Sequence, residues 1–213
     1  MTITFLRQAV LAIAAVALSG PVQIATGHAE DPSASELVRS LQPKVKTRAF
    51  DPGQAEREAK QRDLVNRLQT MKARQITVEE RDEIAKVVKD NDLPTVDLEV
   101  FFEYDSAEIA PEAKPTLAKL GQALSSDQLK GSVFLVAGHT DAQGSDDYNL
   151  GLSNARANSV RAYLVEEFDI APGQLVALGF GEEQLKNPDD PSAGENRRVQ
   201  VVNVASTATA KAE

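Results

Sequence analysis

The sequence contains no cysteine and no tryptophan, and only two of its 213 residues are histidine. Without cysteine the chain can form no disulfide, no thiolate metal site and no thiol nucleophile, and a signal peptide would leave no cysteine for lipid attachment. Beyond the first thirty residues His139 is the only histidine, which excludes a site with several histidine ligands there. The sequence predicts neither a metal site nor a cofactor.

Basic residues are outnumbered by acidic ones. The chain has 23 lysines and arginines against 32 aspartates and glutamates, a formal net charge of −9. Because proteins hold a nucleic-acid backbone through clustered lysine and arginine, this balance predicts that nucleic acid is not a partner.

Long apolar runs are rare, and the clearest one lies near the N-terminus. Arg7 precedes an apolar core at residues 9–18, and the small residues at 27–29 suit cleavage by a signal peptidase. Residues 1–29 are therefore predicted to be a signal peptide that exports the chain from the cytoplasm and is removed near Glu30.

The alternative for this run is an uncleaved membrane anchor over about residues 9–26. Gly20 and Pro21 interrupt it, and a membrane span needs roughly 20 apolar residues. Cleavage and retention both stay open, and a mass measurement on exported protein would decide between them.

Residues 30–92 are predicted to form a charged, mostly helical extension. Three pairs of residues have the spacing of helix caps. They are Ser33 with Glu36, Asp51 with Gln54, and Thr77 with Glu80. Narrow apolar stripes follow, at Leu64, Leu68 and Met71 and at Ile84, Val87 and Val88. The stripes indicate either packing on the following domain or binding of an envelope protein partner; if the extension is independent, a fragment starting near Leu93 should fold alone.

Residues 93–205 alternate strand and helix patterns, which predicts an α/β domain. Strands are expected at residues 95–103, 132–137, 175–180 and 199–204, and helices from Pro111 to Leu124 and from Asn149 onward. Residues 206–213 are small and polar, and we expect them to be a disordered tail.

Arg156 lies in the middle of the apolar stripe of the helix that begins near Asn149. An unpaired guanidinium facing a core costs several kcal/mol, so Arg156 requires an anion from the protein or from a ligand. The nearest acid in an ordered position is Asp141, just past a strand. The two residues are either a structural ion pair or two parts of a binding site.

Four sequence motifs occur together in the second half of the chain. They are FFEYDSAEI at 101–109, GHTDAQGSDDYNLGLSNARANSVRAYL at 138–164, GFGE at 179–182 and NRRVQV at 196–201. With these motifs, residues 98–204 resemble the C-terminal domain family of outer membrane protein A, shared with peptidoglycan-associated lipoprotein and the flagellar stator protein MotB. The resemblance covers about half of the chain and nothing before Leu93.

The resemblance implies a βαβαβ-type fold, with a mixed four-stranded sheet and helices on one face. It also implies non-catalytic binding of the peptidoglycan stem peptide, with Asp141 and Arg156 holding diaminopimelate. The free end of diaminopimelate is a zwitterion, which needs one carboxylate and one guanidinium. Asn149 is expected to orient the ligand, although it could equally cap the helix. Asp105 and Arg197 match positions at the pocket wall.

Three function classes stay open: a cell-wall binding protein, an inner-membrane-anchored component of the stator type, and an envelope hydrolase. A stator needs an ionisable residue in its membrane helix, and residues 5–24 contain no acid. A hydrolase needs paired groups, whereas the adjacent Asp146 and Asp147 would diverge into solvent. We therefore expect no enzyme activity, no transmembrane barrel before residue 93, and a periplasmic location at the cell wall, with a position at the outer membrane left open.

Overall fold

The structure is a computed structural model that describes residues 31–43, 52–70, 76–103 and 105–205. The signal peptide, the cap at Asp51, the stripe residue Met71 and the C-terminal tail of the sequence analysis lie outside these residues. No helix in the described ranges combines the length and the apolar character that crossing a membrane requires.

The described residues form helices and strands in the alternating order that the sequence predicts. The helices are α1 (Ala34–Leu41), α2 (Gln54–Thr70), α3 (Val78–Asp90), α4 (Lys114–Leu124) and α5 (Asp146–Phe168), and the strands are β1 (Thr95–Leu98), β2 (Val133–His139), β3 (Leu175–Gly181) and β4 (Val199–Ala205). The capping boxes at Ser33 and Thr77 are confirmed, since the backbone N–H of each donates to a glutamate three residues later at 2.8 Å.

The four strands form one mixed sheet, as expected, and their order is β1-β4-β2-β3. β4 pairs antiparallel with both β1 and β2, whereas β2 and β3 are parallel. The parallel pair requires a crossover connection, which α5 supplies. β1 is shorter than predicted because the chain leaves the sheet after Leu98 and forms an isolated bridge between Phe102 and Ile109.

One face of the sheet is covered by α1, α4 and α5. Side chains of these helices pack on Phe134 and Val136 of β2 and on Val199 and Val201 of β4. The helix side chains in this core include Leu37, Leu41, Leu117, Leu120, Leu124, Val160 and Leu164.

The opposite face is covered by α2 and α3 of the extension, whereas the helices that follow residue 93, α4 and α5, lie on one face as expected. Successive side chains of a strand point to opposite sides, which places Leu135 away from Phe134 and Val136. The second core contains Leu64, Leu68, Ile84, Val87, Leu135, Leu178, Phe180, Val202 and Val204. The boundary between residues 92 and 93 stays a prediction, and the extension before it packs directly on the sheet.

Two glycines allow α5 to lie against the sheet. A Cβ atom on Gly138 would stand 2.2 Å from the backbone oxygen of Ser153, and one on Gly179 would stand 2.4 Å from the backbone nitrogen of Asn154. Any side chain at these positions would push the helix away. The first turns of α5 are thereby held beside the C-terminal ends of β2 and β3.

Candidate functional site

The C-terminal ends of β2 and β3 meet at one edge of the sheet because these strands are parallel. A hydrogen bond of 2.9 Å from the N–H of Thr140 to the carbonyl of Gly181 continues their pairing. Asp141 follows β2, Glu182 follows β3, and α5 brings Asn149 between them. Ligands of open α/β sheets commonly bind at such an edge.

Asp141 is paired with Arg197. Its carboxylate Oδ2 lies 2.7 Å from Nη1 of Arg197, and its Oδ1 accepts the backbone N–H of Gln143 at 3.1 Å. Asp141 is only 7% exposed, whereas the Arg197 side chain is 52% exposed. The partner of Asp141 is therefore Arg197 and not Arg156, contrary to the ion pair that the sequence analysis considered.

Arg156 has no acidic partner among the described residues. Its Nε donates to the backbone oxygen of Ser106 at 3.0 Å, and its guanidinium carbon lies 4.9 Å from the centroid of the Phe102 ring. Within the described ranges no carboxylate oxygen comes within 4.0 Å of the guanidinium. Arg156 is thus half-buried and held by a carbonyl and an aromatic face, which stabilise a cation only weakly.

Burial lowers the pKa of Arg156, and the positive charge of Arg197 lowers it further. Tyr148, Asp141 and Asp105 act in the opposite direction, although none of them outweighs the burial. Arginine stays charged in proteins, so the lowered pKa means that the site contains a cation whose charge is incompletely compensated. Such a site attracts an anion.

Asn149 is 1% exposed and connects the two strand ends. Its Nδ2 donates to the backbone oxygen of Asp141 at 3.2 Å and also to the carboxylate of Glu182. It is not the helix cap, because α5 begins at Asp146 and Ser145 accepts the capping hydrogen bond from the N–H of Tyr148. Asn149 therefore orients protein groups around Asp141.

Glu182 belongs to the site, but the sequence analysis does not predict this. The GFGE motif contains this glutamate and gives it no role. An acid immediately after a buried strand was the available signal, since Asp141 is placed in the same way. The sequence could not show that Asn149 joins these two acids.

Asp105 lies at the rim of the site. It has a positive φ of 52° and accepts a hydrogen bond from the Tyr148 hydroxyl. The structure thus brings Asp141, Asn149 and Arg197 into one hydrogen-bonded group, with Arg156 and Asp105 beside it.

The space between Phe102, Arg156 and Arg197 is small, about 10 Å³, which is close to the volume that one water needs. Entry of a larger group therefore requires a side chain to move, and Arg197 is the most exposed of these three residues. A cavity of about 390 Å³ lies on the other face of the sheet, between α3 and the strands, and is lined in part by His139 and Arg198.

His139 is 4% exposed and packs on Phe180, with ring centroids 5.4 Å apart. Burial, followed by the nearby charge of Arg198, lowers the pKa of His139 from 6.5 to about 3. A neutral, buried imidazole fits a structural role. Within the described residues no three acidic or histidine side chains gather as a metal site would need.

The lowered pKa of His139 predicts acid sensitivity. Between pH 6.5 and about pH 3 the unfolded chain binds a proton here that the folded chain does not. The free energy of unfolding should therefore fall as the pH decreases, by about 1.4 kcal/mol per pH unit from this residue. Urea unfolding should therefore give a free energy of unfolding about 2 kcal/mol lower at about pH 5 than at about pH 7.5 from this residue in the parent, and a smaller difference in His139→Phe. An identical difference in both proteins would contradict the assignment.

The comparisons with known proteins agree on one family. The OmpA family model matches residues 101–199. Peptidoglycan-associated lipoprotein of Pseudomonas aeruginosa is 36% identical over 105 residues, covering 47% of this chain and 59% of that protein. Outer membrane porin F of the same organism is 33% identical over 119 residues, covering 55% of this chain and 32% of the porin.

A solved structure of peptidoglycan-associated lipoprotein from Burkholderia pseudomallei is also similar to this chain. It is 30% identical and covers 48% of this chain and 86% of that chain, with a TM-score of 0.42. The chain thus spans 59% of the length of the lipoprotein relative from P. aeruginosa and a smaller part of the porin.

Proposed function

Residues 101–199 of this chain form a domain of the OmpA family, and on this basis we propose that the protein binds peptidoglycan without cleaving it. The similar proteins include peptidoglycan-associated lipoproteins. The bound element is the diaminopimelate residue of the stem peptide. In this role the protein sits in the periplasm and anchors or stabilises the cell envelope.

The observation that carries the proposal is the incompletely compensated guanidinium of Arg156. In the described part of the chain only its Nε donates a hydrogen bond, to the Ser106 carbonyl. Its terminal nitrogens are suited to a ligand carboxylate, which binds a guanidinium through two parallel hydrogen bonds. A buried cation without an acid partner is costly to a structure and useful to a site that awaits an anion.

The ammonium of diaminopimelate requires an acceptor next to this cation. Each oxygen of Asp141 accepts one described hydrogen bond, from Arg197 or from Gln143, and a carboxylate oxygen has two lone pairs. Asp141 therefore retains acceptor capacity for the ammonium. Movement of Arg197 opens the space, and Asp105 at the rim adds a further acceptor.

Replacing diaminopimelate by lysine tests the proposal, because lysine keeps the ammonium and lacks the carboxylate. Binding of soluble stem tripeptides, measured by calorimetry, should weaken about thirtyfold to several thousandfold for the lysine form, the effect of deleting one partner of a close charged pair. Arg156→Ala should bind both tripeptides equally weakly. Equal, tight binding of both by the parent would refute recognition of diaminopimelate.

The proposed absence of cleavage is tested on purified peptidoglycan. Incubation of purified peptidoglycan with the protein should release no soluble fragments above the level of buffer, and lysozyme serves as the positive control. Release of fragments by the parent, lost in Asp146→Asn or Asp147→Asn, would favour the hydrolase alternative.

A further inference from the structure

Arg81 of α3 lies outside the residues 101–199 that match the family. It forms a buried ion pair with Glu183, which lies in a loop within those residues. Its Nε and Nη2 donate to the two carboxylate oxygens of Glu183 at 2.8 Å each, and its Nη1 donates to the carbonyl of Ile76 at 2.8 Å. Arg81 is 3% exposed. The two parallel bonds fix both the distance and the orientation of Glu183.

Glu183 belongs to the tight turn that follows β3. Gly181 takes a positive φ of 54°, and the N–H of Glu183 donates to the carbonyl of Phe180 at 3.1 Å. The turn lies close to α5, since a Cβ atom on Gly181 would stand 3.1 Å from the backbone nitrogen of Leu150. A shift of Glu183 therefore shifts the whole turn, including Glu182.

Glu182 is the link between this turn and the binding site. Its carboxylate accepts a hydrogen bond from Nδ2 of Asn149, and the same nitrogen donates to the backbone oxygen of Asp141 at 3.2 Å. Direct contacts thus run from Arg81 through the turn and through Asn149 to Asp141. The contacts are hydrogen bonds and the turn at residues 181–183, and hydrogen-bond networks are among the contacts that couple separate groups in proteins.

We propose that Arg81 is a positioning residue of the peptidoglycan site: by holding Glu183 it fixes the turn at residues 181–183, and thereby sets Asn149 and the backbone of Asp141. The inference rests on the proposed function. Arg81 touches no ligand and acts through Glu183. The helical extension is on this view a structural part of the binding site and not only a cover for the second sheet face.

The test compares Arg81→Ala with Arg67→Ala. Arg67 is a matched control, because it forms an ion pair between α2 and α3, 2.9 Å from Glu83, and has no described contact with the turn. The affinity for a diaminopimelate stem tripeptide should fall about threefold to thirtyfold in Arg81→Ala, the usual range for substitutions along a contact chain. It should be unchanged in Arg67→Ala. Circular dichroism selects a temperature at which both variants are folded.

A second readout needs no ligand. The side-chain amide resonances of Asn149 should shift in Arg81→Ala and in Glu183→Gln but not in Arg67→Ala, because only the first two release the turn. A double variant tests whether the effect passes through Glu182. In a Glu182→Gln background the link to Asn149 is already weakened, so adding Arg81→Ala should weaken tripeptide binding by less than about twofold further.

If Arg81→Ala fails to fold, Glu183→Gln replaces it in both measurements, because it removes the charge of the carboxylate and keeps its shape.

Unchanged affinity and unchanged Asn149 resonances in both Arg81→Ala and Glu183→Gln would overturn the inference. Equal losses in Arg81→Ala and Arg67→Ala would also overturn it, since they would indicate general loosening of the extension. If the parent does not bind the tripeptide, the proposed function fails, and the Asn149 resonances alone then decide whether Arg81 sets the geometry around Asp141.

Discussion

Arg156→Ala should abolish retention of the protein on diaminopimelate-type peptidoglycan while the fold persists. Truncation of one partner in a close charged pair costs about 2 to 5 kcal/mol, a loss of affinity of roughly thirtyfold to several thousandfold. A protein that binds with micromolar affinity would then bind too weakly to be detected in a pull-down. Sedimentation with purified walls measures the retention, and calorimetry with the stem tripeptide measures the affinity.

The thermal stability of this variant separates a ligand-binding residue from a structural one. Burial lowers the pKa of Arg156, so its charge is unfavourable in the unliganded fold, and its removal forfeits the contact with Phe102 and one hydrogen bond to the Ser106 carbonyl. A cation–π contact contributes about 0.5–2 kcal/mol and a hydrogen bond about 1 kcal/mol, which together correspond to a few degrees of melting temperature at this chain length. A large drop in melting temperature with partial retention on the wall would identify Arg156 as structural.

Arg161 provides the matched control on the same helix. Its Nε donates to the carbonyl of Leu175 at 2.7 Å and its Nη2 to that of Pro172 at 2.9 Å, at the opposite end of β3 from the site. Arg161→Ala should therefore lower the melting temperature and leave binding unchanged. Normal binding by Arg156→Ala would mean that the ligand is held elsewhere.

The buried and half-buried arginines of the described residues differ in their partners. Arg81 has two bonds to Glu183, and these raise its pKa despite the burial. Arg198 contacts Asp97 at 3.4 Å, on the sheet face opposite Arg156. Arg156 and Arg161 have no carboxylate within 4.0 Å in the described part of the chain, but Arg161 donates to two backbone carbonyls, whereas Arg156 donates to one. The sparse pairing of Arg156 beside Asp141 is the physical reason for assigning the ligand carboxylate to it.

Sequence alone identified Arg156 because a charge in an apolar stripe is a local pattern. It could not identify the partner of Asp141, because that partner is distant in the sequence and is brought close only by the pairing of two strands. β4 runs antiparallel to β2 with Gly138 opposite Val199, and this register brings Arg197 beside the end of β2. Proximity along the chain favours Arg156 as the partner of Asp141, whereas the register of the sheet places Arg197 there.

The second layer of helices was also beyond the sequence pattern. The stripes of α2 and α3 are narrow, and such stripes fit either a partner protein or the sheet. The continuous apolar run of β2 was the better signal, since a strand with both faces apolar needs a cover on each side. Of the two alternatives for the extension, the apolar run at residues 132–137 therefore favours packing on the sheet, and α2 and α3 supply the cover.

Removal of the extension should prevent stable folding of the remaining domain. A fragment of residues 93–205 would lose α1 from the first core and would expose the second sheet face, with Leu135, Leu178, Phe180, Val202 and Val204 losing the contact with α2 and α3. Burial of one such side chain contributes about 1.5–3 kcal/mol, so the combined loss reaches roughly 10 kcal/mol and matches the total stability of a typical domain. The cost of ordering the strands is unchanged, because the strands are still present.

Thermal unfolding of residues 31–205 and of residues 93–205, followed by circular dichroism, measures this effect. The longer protein should unfold cooperatively, whereas the shorter one should show no cooperative transition and should bind a hydrophobic dye. Leu68→Ala in the longer protein is an intermediate control, with an expected cost of about 2–5 kcal/mol for a buried leucine of the same core. A shorter fragment that melts within a few degrees of the longer one would show that the sheet needs no second cover. In that case the extension is a separate arm, and the contact of Arg81 with Glu183 would serve its attachment only.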